Sequence, residues 1–204
     1  MTETWAEVTP EEAAPMFAGY PERWWIAGGW SIDLFLGNQT RQHGDIDIAV
    51  LRDEQRLLRA HFSDWDMQVA HDGKLSPWQD GDRLAAPRHQ FWARPRTDGR
   101  WALEFLLEDR EDGDWLFRRD PRVRLPIDQL GRTTQDGVPY VCPEVSLLYK
   151  AKHADVERNT NDFDAVLPRL DDRQRAWLRS ALELAHPGHL WIADLAVPDR
   201  SQAE

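Results

Sequence analysis

Cysteine is nearly absent from this chain: of its 204 residues only Cys142 is one, so no intramolecular disulfide can form, which suits a reducing compartment. Long apolar runs are missing too. No stretch approaches the roughly 18 consecutive apolar residues of a membrane helix. Met1 to Glu7 offers no basic segment followed by an apolar core, so no secretory leader is expected and the expected location is cytoplasmic. Basic residues are in the minority, 25 Lys and Arg against 36 Asp and Glu, for a net charge of −11. Long nucleic acids are held largely by neutralising their phosphates, so a stable nucleic-acid partner is not expected. The same negative field concentrates cationic small molecules near a cleft.

What is present is an ordinary globular composition, 41% hydrophobic and 30% charged, long enough for one large domain or two small ones. The 11 tryptophans read as bulky core and interface packing, with one polar N–H each. A monomer or a homodimer fits that count. No internal repeat or low-complexity tract is visible.

Thr9-Pro10-Glu11-Glu12 is a capping box with proline at the first helical position, so a helix starts there and ends near Gly19. Arg23 to Ala27 reads as a strand, broken by Gly28 and Gly29. Trp30 to Leu36 has the spacing of a helical face, closed by Gly37 and Asn38. Asp45 to Leu51 alternates and then turns apolar, as a strand entering a core does. A helix over Asp53 to His61 and a strand over Trp65 to Ala70 follow. His71 to Arg88 reads as loop. Strands are expected at His89 to Arg94, Arg100 to Leu107, Asp114 to Arg118 and Pro139 to Cys142, the first two joined by a turn at Thr97 to Gly99. From Pro143 the period becomes helical: Val145, Leu148 and Lys152, then Phe163 to Leu170, then Trp177 to Leu184.

The segment that carries chemistry is Trp25 to Leu51. Side chains alternate along a strand, so Asp45 and Asp47 point one way while Ile46 and Ile48 enter the other side. Two like charges at that spacing repel unless a cation sits between them, and Mg²⁺ takes carboxylate oxygens and substrate phosphates. An Asp-x-Asp pair alone is also common at solvated strand ends and turns. Gly28 and Gly29 allow a ligand to approach the backbone, and the helix behind them turns N–H groups toward an anion such as a triphosphate. Glu104 lies in the apolar run Trp101 to Leu107, where an unpartnered carboxylate is costly. An arginine or a metal shared with Asp45 and Asp47 would each satisfy it.

The stretch WWIAGGWSIDLFLGNQTRQHGDIDIAVL resembles the nucleotidyltransferases of the DNA polymerase β superfamily, in particular the branch of aminoglycoside and lincosamide nucleotidyltransferases. The likeness continues through LEFLLED (Leu103 to Asp109), WLFRRDPR (Trp115 to Arg122), PEVSLLYKAK (Pro143 to Lys152) and RAWLRSAL (Arg175 to Leu182). It implies an α+β fold: a polymerase-β-like nucleotidyltransferase domain over residues 1–138, built on a mixed sheet with helices, a C-terminal helical domain over 139–198, and a tail over 199–204. It implies that Asp45, Asp47 and Glu104 are the catalytic and Mg²⁺-binding set, with Glu104 also the base for the acceptor hydroxyl. Two metals about 3.5–4 Å apart clamp the phosphate in such chemistry. Gly29 stands where many superfamily members have serine, so Gly28, Gly29 and Ser31 are assigned to the nucleotide phosphates, together with Arg41, His43 and Lys150. Arg118 and Arg119 are expected to be structural partners of acidic residues. Arg158 and Asn159 replace a Lys-Asp pair common in the family.

The reaction implied is Mg²⁺-dependent transfer of AMP from ATP to a hydroxyl of a small molecule of the aminoglycoside type, for which an acidic protein suits a polycationic acceptor. Two alternatives are open at this stage. One is a nucleotidyltransferase that modifies tRNA or protein through a basic face at Arg118, Arg119, Arg122 and Arg124. The other is a nucleotide-binding module without turnover, against which the intact carboxylate set argues.

Overall fold

Thr9 caps the first helix, α1 (Pro10–Ala13): its hydroxyl accepts from the Glu12 amide at 3.3 Å, and the Glu12 carboxylate accepts from the Thr9 amide at 3.0 Å. The computed structural model describes residues 3–196, so the expected tail over 199–204 lies outside the described residues. After α1 come β1 (Trp24–Ile26), α2 (Gly28–Leu36), β2 (Asp47–Leu51), α3 (Gln55–His61), β3 (Trp65–His71), β4 (Lys74–Pro77), β5 (Gln90–Pro95) and β6 (Leu103–Glu111). Then follow β7 (Asp114–Leu116), β8 (Arg124–Pro126), β9 (Gly131–Thr133), β10 (Pro139–Val141), α4 (Pro143–Ala151), α5 (Glu157–Val166), α6 (Asp172–Ala185) and α7 (Trp191–Asp194).

The strands build one mixed sheet in the order β4-β3-β5-β6-β2-β1-β10-β9, with β7 and β8 continuing from β6. Pairs β2–β6 and β1–β10 are parallel and the others antiparallel. This is the α+β architecture with a helical C-terminal region that the sequence implies. Alternation along β2 divides the core between the two faces of the sheet. Ile46, Ile48 and Val50 join Phe17, Leu58, Phe62 and Phe105 on one face. Ala49 and Leu51 join Ile32, Leu36, Val145, Leu148, Leu178 and Leu182 on the other. That second cluster is shared by α2, the sheet and the C-terminal helices. Each fully buried leucine in it contributes on the order of 2 kcal/mol.

Four local expectations change. The second strand begins at Asp47, because Gly44 and Asp45 form a bend before it; the Ile46 carbonyl already accepts from the Glu104 amide at 3.0 Å, so the alternation of Ile46 and Ile48 holds. His71 to Arg88 is not all loop. Asp72 and Gly73, both at positive φ (50° and 70°), close a β3–β4 hairpin, the conformation for which an Asp-Gly pair is suited. Strands β8 and β9 have no counterpart in the sequence reading, and β10 pairs in parallel with β1, so the sheet continues past residue 138. Helix α4 stops at Ala151, leaving Lys152 exposed beyond it.

Candidate active site

Parallel pairing of β2 and β6 sets Asp47 directly beside Glu104. Both project from the sheet face covered by α2 and α4, since their strand neighbours Ile48 and Phe105 fill the opposite core. Asp45 stands two residues upstream, exposed in the bend. Burial, followed by the negative charge of Asp45, pushes the Asp47 carboxyl up to about 7, while Lys150 and Arg41 pull against the rise. Burial and then the charges of Asp47 and Asp45 raise Glu104 to about 8. Gln90, on β5, donates from Nε2 to Glu104 Oε1.

Burial and the neighbouring negative charges hold Asp47 and Glu104 toward their protonated forms, and a divalent cation is the partner that would release those protons. All donors are hard oxygens, the kind Mg²⁺ takes. Among the described residues no three His, Cys, Asp or Glu side chains already converge as a finished ligand cage. The carboxylates are near enough to perturb each other, so the donor set fits an ion that draws them together.

The start of α2 lies against this group. Gly28 has φ +61°, and a Cβ there would collide with Asp47 Oδ2; a Cβ at Gly29 would collide with Arg41 Nη2 and the His43 ring. Both glycines therefore serve close approach, and the serine common at the second position would displace Arg41 and His43. Residue Arg41 is half-buried, its Nε lies 4.0 Å from Asp162 Oδ1, and that N–H has no hydrogen-bond partner. His43 is anchored by Nε2 to Asp33 Oδ2 at 2.6 Å and packs on Trp30 at 4.3 Å between ring centroids. Burial lowers the His43 pKa against the opposing pull of Asp33.

Ser31 does not belong with these groups. It is fully buried, donates to the Gly28 carbonyl at 2.9 Å and pairs with Ser146 Oγ at 2.7 Å. Its hydroxyl fastens α2 to α4 and is not available to a phosphate. Lys150 reaches the site from α4, with Nζ 2.8 Å from Asp162 Oδ2.

Gly28, Asp47, Glu104 and Lys150 open onto a cavity of ≈ 300 Å³ whose far wall holds Tyr149, Arg118 and Arg119. Buried Glu108 accepts from Trp115 Nε1 and Tyr149 Oη, both at 2.7 Å. Burial raises Glu108 despite those two donors. Neither Arg118 nor Arg119 forms a salt bridge among the described residues; each meets the acid Glu108 through its charge alone. Arg119 instead donates to the Tyr149 carbonyl at 2.8 Å, and Arg118 lies 5.7 Å from the Tyr149 ring centroid. Of the four arginines of the expected basic face, Arg122 pairs with Asp120 (2.6 Å) and Arg124 with Glu111 (2.7 Å).

Residues the sequence reading did not single out include Gln90, Glu108 and Tyr149, and Asp33 enters it only as a position of the family resemblance, without its partners. An Asp at the sixth position of α2 gives no sign of its partner until Thr40 and His43 fold back on it. No described helix is long and apolar enough to cross a membrane.

Residues 14–78 match the family model described as aminoglycoside-2''-adenylyltransferase. Among solved structures, ANT(2'')-Ia in complex with adenylyl-2''-tobramycin shares 17% identity and a TM-score of 0.57, covering 84% of this chain and 93% of that one. The lincomycin-bound lincosamide antibiotic adenylyltransferase LnuA shares 17% identity and a TM-score of 0.53, covering 80% and 98%. No curated protein matches by sequence. At these identities the structures share a fold, and the resemblance to the aminoglycoside and lincosamide branch is borne out by the family match and both folds.

Proposed function

We propose that this chain, whose residues 14–78 carry the aminoglycoside-2''-adenylyltransferase signature on a nucleotidyltransferase fold, is an adenylyltransferase that moves AMP from ATP to a hydroxyl of an antibiotic-type small molecule. The acceptor classes to consider are aminoglycosides and lincosamides. The observation that carries this reading is the register of Asp47 with Glu104 beside the glycine-opened start of α2.

Asp45, Asp47 and Glu104 would hold Mg²⁺, which supplies charge neutralisation at the α-phosphate and at the departing pyrophosphate. Backbone N–H groups at Gly28 and Gly29, together with Arg41 and Lys150, receive the triphosphate; the positive end of the α2 dipole favours it. His43, held by Asp33, supports this loop from behind. Glu104 takes the proton of the acceptor hydroxyl as its oxygen bonds to the α-phosphorus, and the bond to the bridging oxygen of pyrophosphate breaks. Positioning and electrostatics account for most of the acceleration in such transfers.

The test is mass spectrometry of tobramycin and lincomycin after incubation with the protein, Mg²⁺ and a mixture of nucleotides, with Asp47→Asn as control. The expected result is a gain of one AMP on a drug, absent in the variant. No nucleotide gain on either drug, or an equal gain in the variant, sinks the reading.

A further inference from the structure

Arg41 and Lys150 reach the nucleotide end of the site from different elements, the loop after α2 and the helix α4, yet both turn toward one side chain of α5. Lys150 Nζ is 2.8 Å from Asp162 Oδ2, and Arg41 Nε is 4.0 Å from Asp162 Oδ1. Each carboxylate oxygen thus faces one cation. Asp162 is 4% exposed and does not line the inner cavity, whose wall Lys150 shares with Gly28, Asp47 and Glu104. It stands behind the cations, out of reach of whatever enters.

Arg41 is laid out between two groups. A Cβ at Gly29 would collide with its Nη2, so that end of the guanidinium lies at the start of α2. Its Nε faces Asp162, and Nη1 donates to the Gln42 carbonyl at 3.1 Å. Both cations are also near enough to Asp47 to pull its carboxyl down against burial. The order across the site is therefore carboxylate, two cations, carboxylate. Asp162 itself has a firm frame. Asn159 Nδ2 donates to the His153 carbonyl and Thr160 Oγ1 to the Ala154 carbonyl, both at 2.8 Å, and Phe163 stacks on Trp191 with centroids 4.2 Å apart.

Two cationic side chains brought to one place repel each other, and long Lys and Arg side chains lose rotamer freedom when a ligand fixes them. A buried carboxylate between them offsets the repulsion and fixes them beforehand, which is how preorganisation strengthens binding. We infer that Asp162 is a positioning residue for nucleotide capture: from α5 it holds Arg41 and Lys150 where the triphosphate meets them, without touching the nucleotide itself. The inference rests on the adenylyltransferase reading for the identity of that triphosphate. The family match covers Arg41 but ends at residue 78, before Lys150 and Asp162, so the C-terminal helices complete the cradle.

An opposing effect gives the test its sign. A negative charge behind an anion site repels the anion, so if Asp162 did nothing else its removal would tighten binding. The experiment measures calorimetric binding of inorganic tripolyphosphate, with Mg²⁺ present, to the wild type, Asp162→Asn, Lys150→Met and the double variant, with urea unfolding of each. Asp162→Asn is expected to bind about tenfold more weakly, and the double variant no more than about threefold more weakly than Lys150→Met alone, because the two residues act as a unit. In turnover, KM for ATP should rise about tenfold in Asp162→Asn while kcat changes by less than about threefold. Binding by Asp162→Asn equal to or tighter than that of the wild type overturns the inference, whatever happens to stability. So does full multiplication of the two losses, or absence of binding by the wild type. If Asp162→Asn does not fold, Asp162→Glu decides, since it keeps the charge but moves it by one methylene: weaker binding upholds the inference and unchanged binding overturns it. Tripolyphosphate binding needs neither acceptor nor transfer, so a negative drug assay sinks the functional reading alone and leaves the positioning role to this measurement.

Discussion

The Asp47 carboxylate occupies the space where a side chain at residue 28 would begin. Gly28 also has a positive φ of 61°, so alanine there is penalised twice, by backbone strain and by collision. Gly28→Ala is expected to cost about 1–2 kcal/mol of stability and to displace Asp47. Transfer activity should fall far more than stability does, which urea unfolding and turnover measured on one preparation will separate.

Glu104→Gln separates the base from the ligand role. Loss of the base lowers kcat by about 10²–10⁴-fold, while dissociation of ATP measured by calorimetry changes much less. Equal losses in both would reduce Glu104 to a metal ligand.

Ser31→Ala tests whether this hydroxyl fastens α2 to α4 or serves the nucleotide. Removing a buried hydroxyl that serves Gly28 O and Ser146 Oγ is expected to cost about 1–2 kcal/mol, with KM for ATP unaltered. A raised KM with unchanged stability would return Ser31 to the phosphate site.

Glu54 sets a pH dependence remote from catalysis. It is 8% exposed, and its Oε2 has no hydrogen-bond partner. Burial, then the charge of Glu22, pushes its carboxyl from the ordinary 4.5 up to about 7, although Arg110 opposes the shift. A carboxyl raised on folding favours the folded state while protonated, so its contribution is complete below about 4.5 and declines as pH rises through about 7. Glu54→Gln should therefore be more stable than the wild type at pH 8, by at most about 3 kcal/mol. The gain should shrink toward pH 4.5. Parallel unfolding curves for the two proteins across that range would exclude it.

The elements that frame the site were legible because each is announced locally. Thr9 and Glu12 mark a helix start, Gly37 ends α2 in the left-handed conformation at φ +76°, and Ile46, Ile48 and Val50 declare a buried face. The pairing of Asp47 with Glu104 was implied by family resemblance, whereas strand register is a tertiary fact. What sequence reasoning missed depends on distant partners. Ser31 resembles a phosphate ligand until Ser146 closes on it, and Arg118 resembles a salt-bridge partner, whereas among the described residues it forms no salt bridge and lies over the Tyr149 ring. The β3–β4 hairpin did have a local signal at Asp72-Gly73, masked by the polar residues around it.

Ser31 and Ser146 are 115 positions apart, and the core beneath them is assembled from both ends of that span. Contacts closing so long a loop form late and slow the search for the native state. During vectorial synthesis the apolar face of α2 and the sheet emerges first and waits for α4 and α6 to cover it. The ribosome therefore exposes an aggregation-prone intermediate for the time needed to make the last third of the chain. Demand for chaperones should rise as translation through that segment slows.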